Sequence, residues 1–381
     1  MIRFLVLATL VKLILAGVLG GTADIPQQLK QGQAFVSGAD VLDPRSTGKN
    51  PSFFLVGHYA IAGLALLVTQ ATCIPFRFWI KVPAILSDLV VCLLLRAMPQ
   101  AGNRAAVTYM LTPITVLLSV YHGQLHSLAT AGAVAALWLG QRGHASSAGL
   151  ALALAASVRQ HFAVLILPLL LRMRERRSFA LLAFAGLATV VNLPLLIGAH
   201  AERALAPAWT YGIWGYSVPL LQGPRVLALT GLDIRDRLEP LNVALQQYGW
   251  ALYVLWAAVF VVWLWRHPRH DVWASALVFL LGFYTISPGF GVQWLVWAAP
   301  FWLVVDHRGA VGYSIVGSTF LAGTYWVWTF NARYGVRSVT ANLNVLAPHD
   351  LALYMAVGAL GFLTWLYCGR AAWRLARSTQ S

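Results

Sequence analysis

The sequence predicts an all-α, polytopic integral membrane protein of about 11–12 transmembrane helices, with juxtamembrane helices along the outer interface. Three observations lead there. Of 381 residues, 59% are hydrophobic and only 10% are charged, against about 25% charged in ordinary globular domains. Apolar stretches of spanning quality recur from one end of the chain to the other. Arginines collect in the short loops between them, the pattern that orients helices in a membrane. The net charge of +15 therefore reads as loop anchoring, and no nucleic-acid partner is expected. Cys73, Cys92 and Cys368 show neither metal-ligand spacing nor a disulfide framework.

The stretches fall near 4–20, 53–74, 78–97, 104–121, 125–140, 146–171, 178–198, 249–266, 272–286, 291–305, 309–330 and 350–369. All are read as one transmembrane domain over 1–381. Residues 1–23 share a basic start and small-residue end with signal peptides. Lys12 interrupts their apolar core, and the segment is read as an uncleaved first span. The polar breaks of note are 21–52, 199–248 and 331–349. Residues 21–77 form the first outer loop with a juxtamembrane helix. Residues 199–248 form a large outer loop whose Trp209, Tyr211, Trp214 and Tyr216 suit a membrane surface. The remaining Trp and Tyr residues fit interfacial belts.

Arg172, Arg174, Arg176 and Arg177 mark a cytoplasmic loop, and Arg266/Arg269, Arg308 and Arg370/Arg374/Arg377 agree with it. This places Asp24 outside. Between Asp24 and Arg172 lie five apolar stretches, and an odd number must cross. If each crosses once, residues 122–124 are inside, and an unbroken 146–171 helix carries Arg159 near the bilayer centre. That costs about 2.5–3.5 kcal/mol or more. The preferred alternative lays 53–74 along the outer interface and breaks 146–171 at Arg159-Gln160-His161. His122, Gln124 and Arg159 then share the outer side with Asp24.

Asp24 is the most informative single residue. It stands just past the first span, at the membrane–water boundary, where a carboxylate can act on a substrate whose other half is in lipid. Further segments give the chain its likeness. Gly38-Ala39-Asp40 and Asn50-Pro51 follow Asp24. KVPAILSDLVVCLLL (81–95) holds Asp88 in a helix. LTPITVLLSVYHGQLHS (111–127) has a proline, an apolar run and Gly-Gln. SAGLALALAASVRQHFAVLILPLLLRMRERR (147–177) and ISPGFGVQWLVWAAPFWLV (286–304) complete the series. In order and spacing these resemble GT-C fold glycosyltransferases, and within them the polyprenol-phosphate-mannose-dependent mannosyltransferases of glycosyltransferase family 87. Trp294 stands where that family usually has Tyr.

The resemblance implies inverting transfer of a hexose, with mannose the expected sugar. The donor is a polyprenyl-phosphate sugar, the acceptor an extracytoplasmic lipid or glycan, and the setting the plasma (inner) membrane, among membrane lipids. No cofactor and no metal are expected, since cations can hold the donor phosphate. Asp24 is the candidate base, with Asp40 its rival. Asp40 also reads as a plain turn residue. Arg159 is the candidate phosphate ligand, with Gln160 and His161 beside it. His122 and His126 are spaced to share a helix face and, with Gln124, can contact phosphate or sugar. Arg77 and Lys81 read as headgroup anchors or donor-phosphate contacts. Gln293 opens a span behind a glycine-rich turn. Asp88 reads as part of a structural network with Tyr109 or Thr112. A lipid-linked sugar transporter or flippase, and a non-catalytic cell-envelope assembly subunit, remain as alternative functions.

Overall fold

Every regular element among the described residues is a helix, as the composition requires, because only helices satisfy all backbone groups within one chain segment in lipid. The computed structural model describes residues 1–47, 54–173, 177–198, 231, 235–267, 270–287, 291–331 and 348–378. The expected loop aromatics Trp209, Tyr211, Trp214 and Tyr216, and most of 331–349, lie outside these. The chain divides into two units. The first comprises Met1–Pro207, Leu264–Ala276 and Val296–His307, and the second Ala208–Trp263, Leu277–Leu295 and Arg308–Ser381.

In the first unit, α1 (Ile2–Val18) is followed by α2 (Asp24–Val36), the short α3 (Pro44–Thr47) and α4 (Val56–Thr72). Next come α5 (Phe76–Trp79), α6 (Val82–Ala97), α7 (Gly102–Leu111) and α8 (Pro113–Val116). A π-helical turn, Leu117–His122, leads to α9 (His126–Gln141) and α10 (Ala145–Val158). A 3₁₀ segment, Gln160–Leu165, then precedes α11 (Ile166–Arg172) and α12 (Arg177–Leu196). Phe76–Ala97, Arg177–Leu195 and Gln247–Arg266 are each long and apolar enough to cross a membrane. The stretch expected as one helix over 104–121 is instead bent by 48°. Pro113 explains the bend, since it lacks the N–H that an unbroken helix would need. The expected break in 146–171 falls at Arg159, whose backbone is extended at φ −143° and ψ 103°.

Hydroxyls inside these apolar helices are satisfied locally. Thr9, Ser87, Thr130 and Ser157 each donate to the carbonyl four residues earlier, at 2.7–2.9 Å. Stronger polar groups reach between helices. Lys12 Nζ donates to Asp88 Oδ2 at 2.8 Å and to Thr115 Oγ1 at 3.4 Å, while Tyr109 Oη donates to Asp88 Oδ1 at 3.4 Å. The expected network around Asp88 thus includes Tyr109, and its cation comes from α1. One turn further along α1, Ala16 packs with Ile85 and Val120, flanked by Leu13, Leu19, Phe78 and Val116. Charge and apolar contact together fix α1 against α6 and the π-turn.

The second unit uses aromatic donors in the same way. The helix Arg235–Arg266, which belongs to this unit as far as Trp263, begins inside the expected 199–248 loop. Tyr284 Oη donates to the Trp294 carbonyl at 2.5 Å, Tyr313 Oη to Leu295 O at 2.7 Å and Trp365 Nε1 to Thr285 O at 2.9 Å. Thr285 lies in the last turn of Val272–Ile286, where carbonyls lack intrahelical partners, and Trp294 and Leu295 stand where the helix Leu295–Val305 begins. Belts alone therefore do not account for the aromatics. In the first unit, Trp273, Trp297 and Trp302 are fully buried.

Removing one partner of the Lys12–Asp88 pair would strand a buried charge. Lys12→Met or Asp88→Asn should each destabilise the protein by about 3–5 kcal/mol. The double variant Lys12→Met/Asp88→Leu should recover much of that. Thermal unfolding in detergent micelles checks the order.

Candidate functional site

Asp24 opens α2, where the helix dipole favours a carboxylate. Thr22 orders the approach, receiving the Asp24 N–H on its Oγ1 at 3.4 Å and donating to His122 O at 3.3 Å. Two side chains converge on one oxygen of Asp24. His122 Nε2 lies 2.6 Å from Oδ2, and Gln124 Nε2 donates to Oδ2 at 2.5 Å. Among the described residues no hydrogen bond falls on Oδ1, and the side chain keeps 43% of its surface exposed. The carboxylate is thus gripped on one side and open on the other.

His122 and Gln124 can both reach Asp24 because Gly123 turns the chain between them. Gly123 has φ +74°, and a Cβ there would stand 3.1 Å from Ile25 Cδ1 and 3.3 Å from Lys81 Cγ. Only glycine adopts that conformation in that space without strain. Its carbonyl accepts from Gln28 Nε2 at 3.2 Å. Since Asp24 touches His122 and Gln124, all three share one side of any membrane the helices cross.

Behind them lies Arg159, 1% exposed. Its Nη2 donates to Gln124 Oε1 at 2.6 Å and its Nη1 to His58 Nδ1 at 3.0 Å and to Val158 O at 2.9 Å. Its Nε faces the His126 ring at 3.2–3.4 Å, and the Phe54 ring covers the guanidinium at 4.0 Å. Among the described residues no carboxylate ion-pairs with it directly. The amide of Gln124 is the link, giving its N–H to the acid and its carbonyl to the cation.

Partial withdrawal from water works to raise the Asp24 pKa. The hydrogen bond and charge of His122, the hydrogen bond from Gln124 and the charge of Arg159 outweigh it and hold the carboxyl below its ordinary value. Asp24 is therefore ionised at neutral pH.

The structure gathers Asp24, His122, Gln124, His126 and Arg159. Gln160 and His161 follow Arg159 in the 3₁₀ segment, with the His161 ring 5.1 Å from that of Trp297. Other expected residues stand elsewhere. Asp40 caps an exposed turn, accepting from Leu42 N at 2.9 Å. Lys81 turns its ammonium onto the carbonyls of Ala16 and Leu19, at 3.2 and 2.7 Å. Arg77 is exposed at the rim of an open, largely apolar groove of about 790 Å³, walled by Gly20–Ala23, Ile25, Leu29 and Phe76. Gln293 lies in the second unit, 9% exposed and folded against Gly291.

Four contributors, His58, Gln31, Trp297 and Phe54, were not expected from the sequence. His58 joins Arg159 to Gln31, whose Oε1 lies 2.9 Å from His58 Nε2. Trp297 Nε1 donates to His126 Nδ1 at 2.8 Å, and Phe54 lies over Arg159. For His58 a signal existed, a histidine in an otherwise apolar segment. Gln31 had one too, two helical turns from Asp24 on the same face. Trp297 had none, being one aromatic among many.

Replacing His58 would leave a buried Arg159 N–H unpaired. His58→Leu should lower stability by about 1–3 kcal/mol, read as an earlier thermal transition.

With the geometry in place, comparison with known proteins adds one finding. The sequence model of glycosyltransferase family 87 matches residues 54–288, more than half of the chain. No curated protein matches it.

Proposed function

Since the chain belongs to glycosyltransferase family 87, we propose that it moves a hexose from a polyprenyl-phosphate donor to a lipid or glycan acceptor. The reaction is an inverting transfer on the outer side of the plasma membrane, and mannose is the sugar we expect. Membership makes this a glycosyltransferase, and its apolar helices are those of a membrane protein. That class sets the transporter and scaffold readings behind.

One observation carries the proposal. A half-open carboxylate and a buried guanidinium without a carboxylate of its own are joined through a single amide, Gln124. Glycosyl transfer needs both charges at one centre. The acceptor oxygen attacks the sugar's anomeric carbon from the face opposite the phosphate. Its proton passes to Asp24, on the open Oδ1. The bond from the anomeric carbon to the phosphate oxygen breaks, and the polyprenyl phosphate leaves with the electron pair. Arg159 offers planar donors suited to that phosphate, and stabilising the leaving group's charge lowers the barrier. Entry of the phosphate requires the Phe54 ring to give way, exchanging a cation–π contact for charge-assisted hydrogen bonds. His122 orients the base, and His126 orients the guanidinium.

The contact of Asp24 with His122 and Gln124 supports the topology in which α4 lies along the outer interface. Asp40, committed to a turn, is the weaker candidate base.

The test is incubation of purified protein with polyprenyl-phosphate mannose and candidate envelope lipids or glycans, with mass spectrometry for a mannosylated product. Asp24→Asn should retain donor binding and lose at least ~10²-fold in transfer, whereas Asp40→Asn should lose far less. Arg159→Ala should abolish turnover and weaken donor binding. Wild-type transfer by Asp24→Asn would remove the base from the proposal.

The pH dependence has a definite sign. The base works ionised, so kcat/KM should fall only at acid pH, below the ordinary carboxylate value. His122→Phe removes a hydrogen bond and a charge that hold the Asp24 pKa down. The acid limb of its profile should therefore move to higher pH.

A further inference from the structure

Lys81 is fully buried, yet no acid pairs with it among the described residues. Such a residue is expensive and calls for a reason. Its position supplies one. The ammonium donates to Leu19 O at 2.7 Å and to Ala16 O at 3.2 Å. These are carbonyls at the C-terminal end of α1, which ends at Val18. They have no intrahelical partners and carry the negative end of the helix dipole. The segment they close runs through Gly20 and Gly21 directly to Asp24. The stem of the same lysine runs beside the far wall of the site. A Cβ on Gly123 would stand 3.3 Å from Lys81 Cγ, and Gly123 is the turn that presents His122 and Gln124 to Asp24. One side chain thus holds the end of the helix that leads to the carboxylate and lies beside the turn that grips it.

We infer that Lys81 is a positioning residue for the Asp24 carboxylate, setting the distance between the end of α1 and the His122-Gly123-Gln124 turn. This rests on Asp24 as the base of a glycosyl transfer. It assigns Lys81 no contact with the donor phosphate, because its ammonium is directed at α1.

The experiment measures kcat and donor KM with polyprenyl-phosphate mannose for the wild type, Lys81→Met, Lys81→Arg, Asp24→Asn and the double variant Asp24→Asn/Lys81→Met. Methionine keeps the stem on Gly123 and removes the ammonium. Lys81→Met should lose roughly 10–100-fold in kcat, the scale of an ångström of misplacement, with donor KM unchanged. Lys81→Arg should regain most of the loss. In the Asp24→Asn background the methionine should cost nothing more, because a residue acting only through Asp24 has nothing left to position. A raised donor KM in Lys81→Met, or a double variant whose loss is the product of the single losses, would overturn the inference. Where Lys81→Met does not accumulate folded, Lys81→Gln, which retains a neutral donor, is read against the same criteria. Full activity in Asp24→Asn alone would mark failure of the base assignment, separately from the lysine.

Discussion

The structure around the site depends on the burial of Arg159. A guanidinium cannot shed its proton under ordinary conditions, so the fold has to satisfy it in place. The chain does so with neutral acceptors: the Gln124 amide, the His58 and His126 rings and the Val158 carbonyl. Each imposes a demand on a different element. α4 must approach α10 closely enough for His58 to arrive, and a Cβ on Gly57 would meet Ser157 O at 2.9 Å. α9 must begin where His126 faces the guanidinium. Trp297 must donate to His126 to fix that ring. Nothing in this set carries a negative charge, and the carboxylate of Asp24 reaches the guanidinium only through the Gln124 amide.

The class of fold was legible because bilayer physics acts on composition and stretch length, both of which a single sequence displays. The break at Arg159 was legible for a related reason, since an unbroken helix would hold a charge at the bilayer centre. The bend at Pro113 is a local rule that the apolar average over 104–121 conceals. His122, Gln124 and Arg159 were found by their chemistry in apolar surroundings. Lys81, expected as a headgroup anchor or donor-phosphate contact, directs its ammonium at the end of α1, and a sequence does not reveal that α1 ends within its reach. Trp297 was invisible, as its role rests on a long-range contact with His126, and long-range contacts leave no local mark.

The two lysines of the α1–α6 contact follow one logic from opposite sides. Lys12 goes from α1 to a carboxylate on α6, and Lys81 goes from the start of α6 to the open carbonyls of α1. A single ion pair would leave α1 free to pivot about it. Two attachments at different heights, with Ala16, Ile85 and Val120 packed between them, remove that freedom. The helix that ends shortly before Asp24 is therefore held to α6 and its N-cap at two points.

A carboxylate held below its ordinary pKa is a weaker base, which at first sight opposes its proposed use. The conflict eases when the partners are followed through the reaction. His122 and Gln124 both act on Oδ2 and leave Oδ1 to receive the proton. In the proposed reaction, the carboxylate would lose charge as the acceptor proton arrives, while the departing phosphate would gain it. Arg159, whose charge helps hold the Asp24 pKa down, is then attracted to the phosphate instead. On that proposal, the Arg159 charge that lowers the Asp24 pKa in the resting state would stabilise the leaving group in the transition state. Interactions that strengthen only along the reaction are the ones that accelerate it. Linking acid and cation through one neutral amide lets this transfer of partnership occur without first breaking an ion pair.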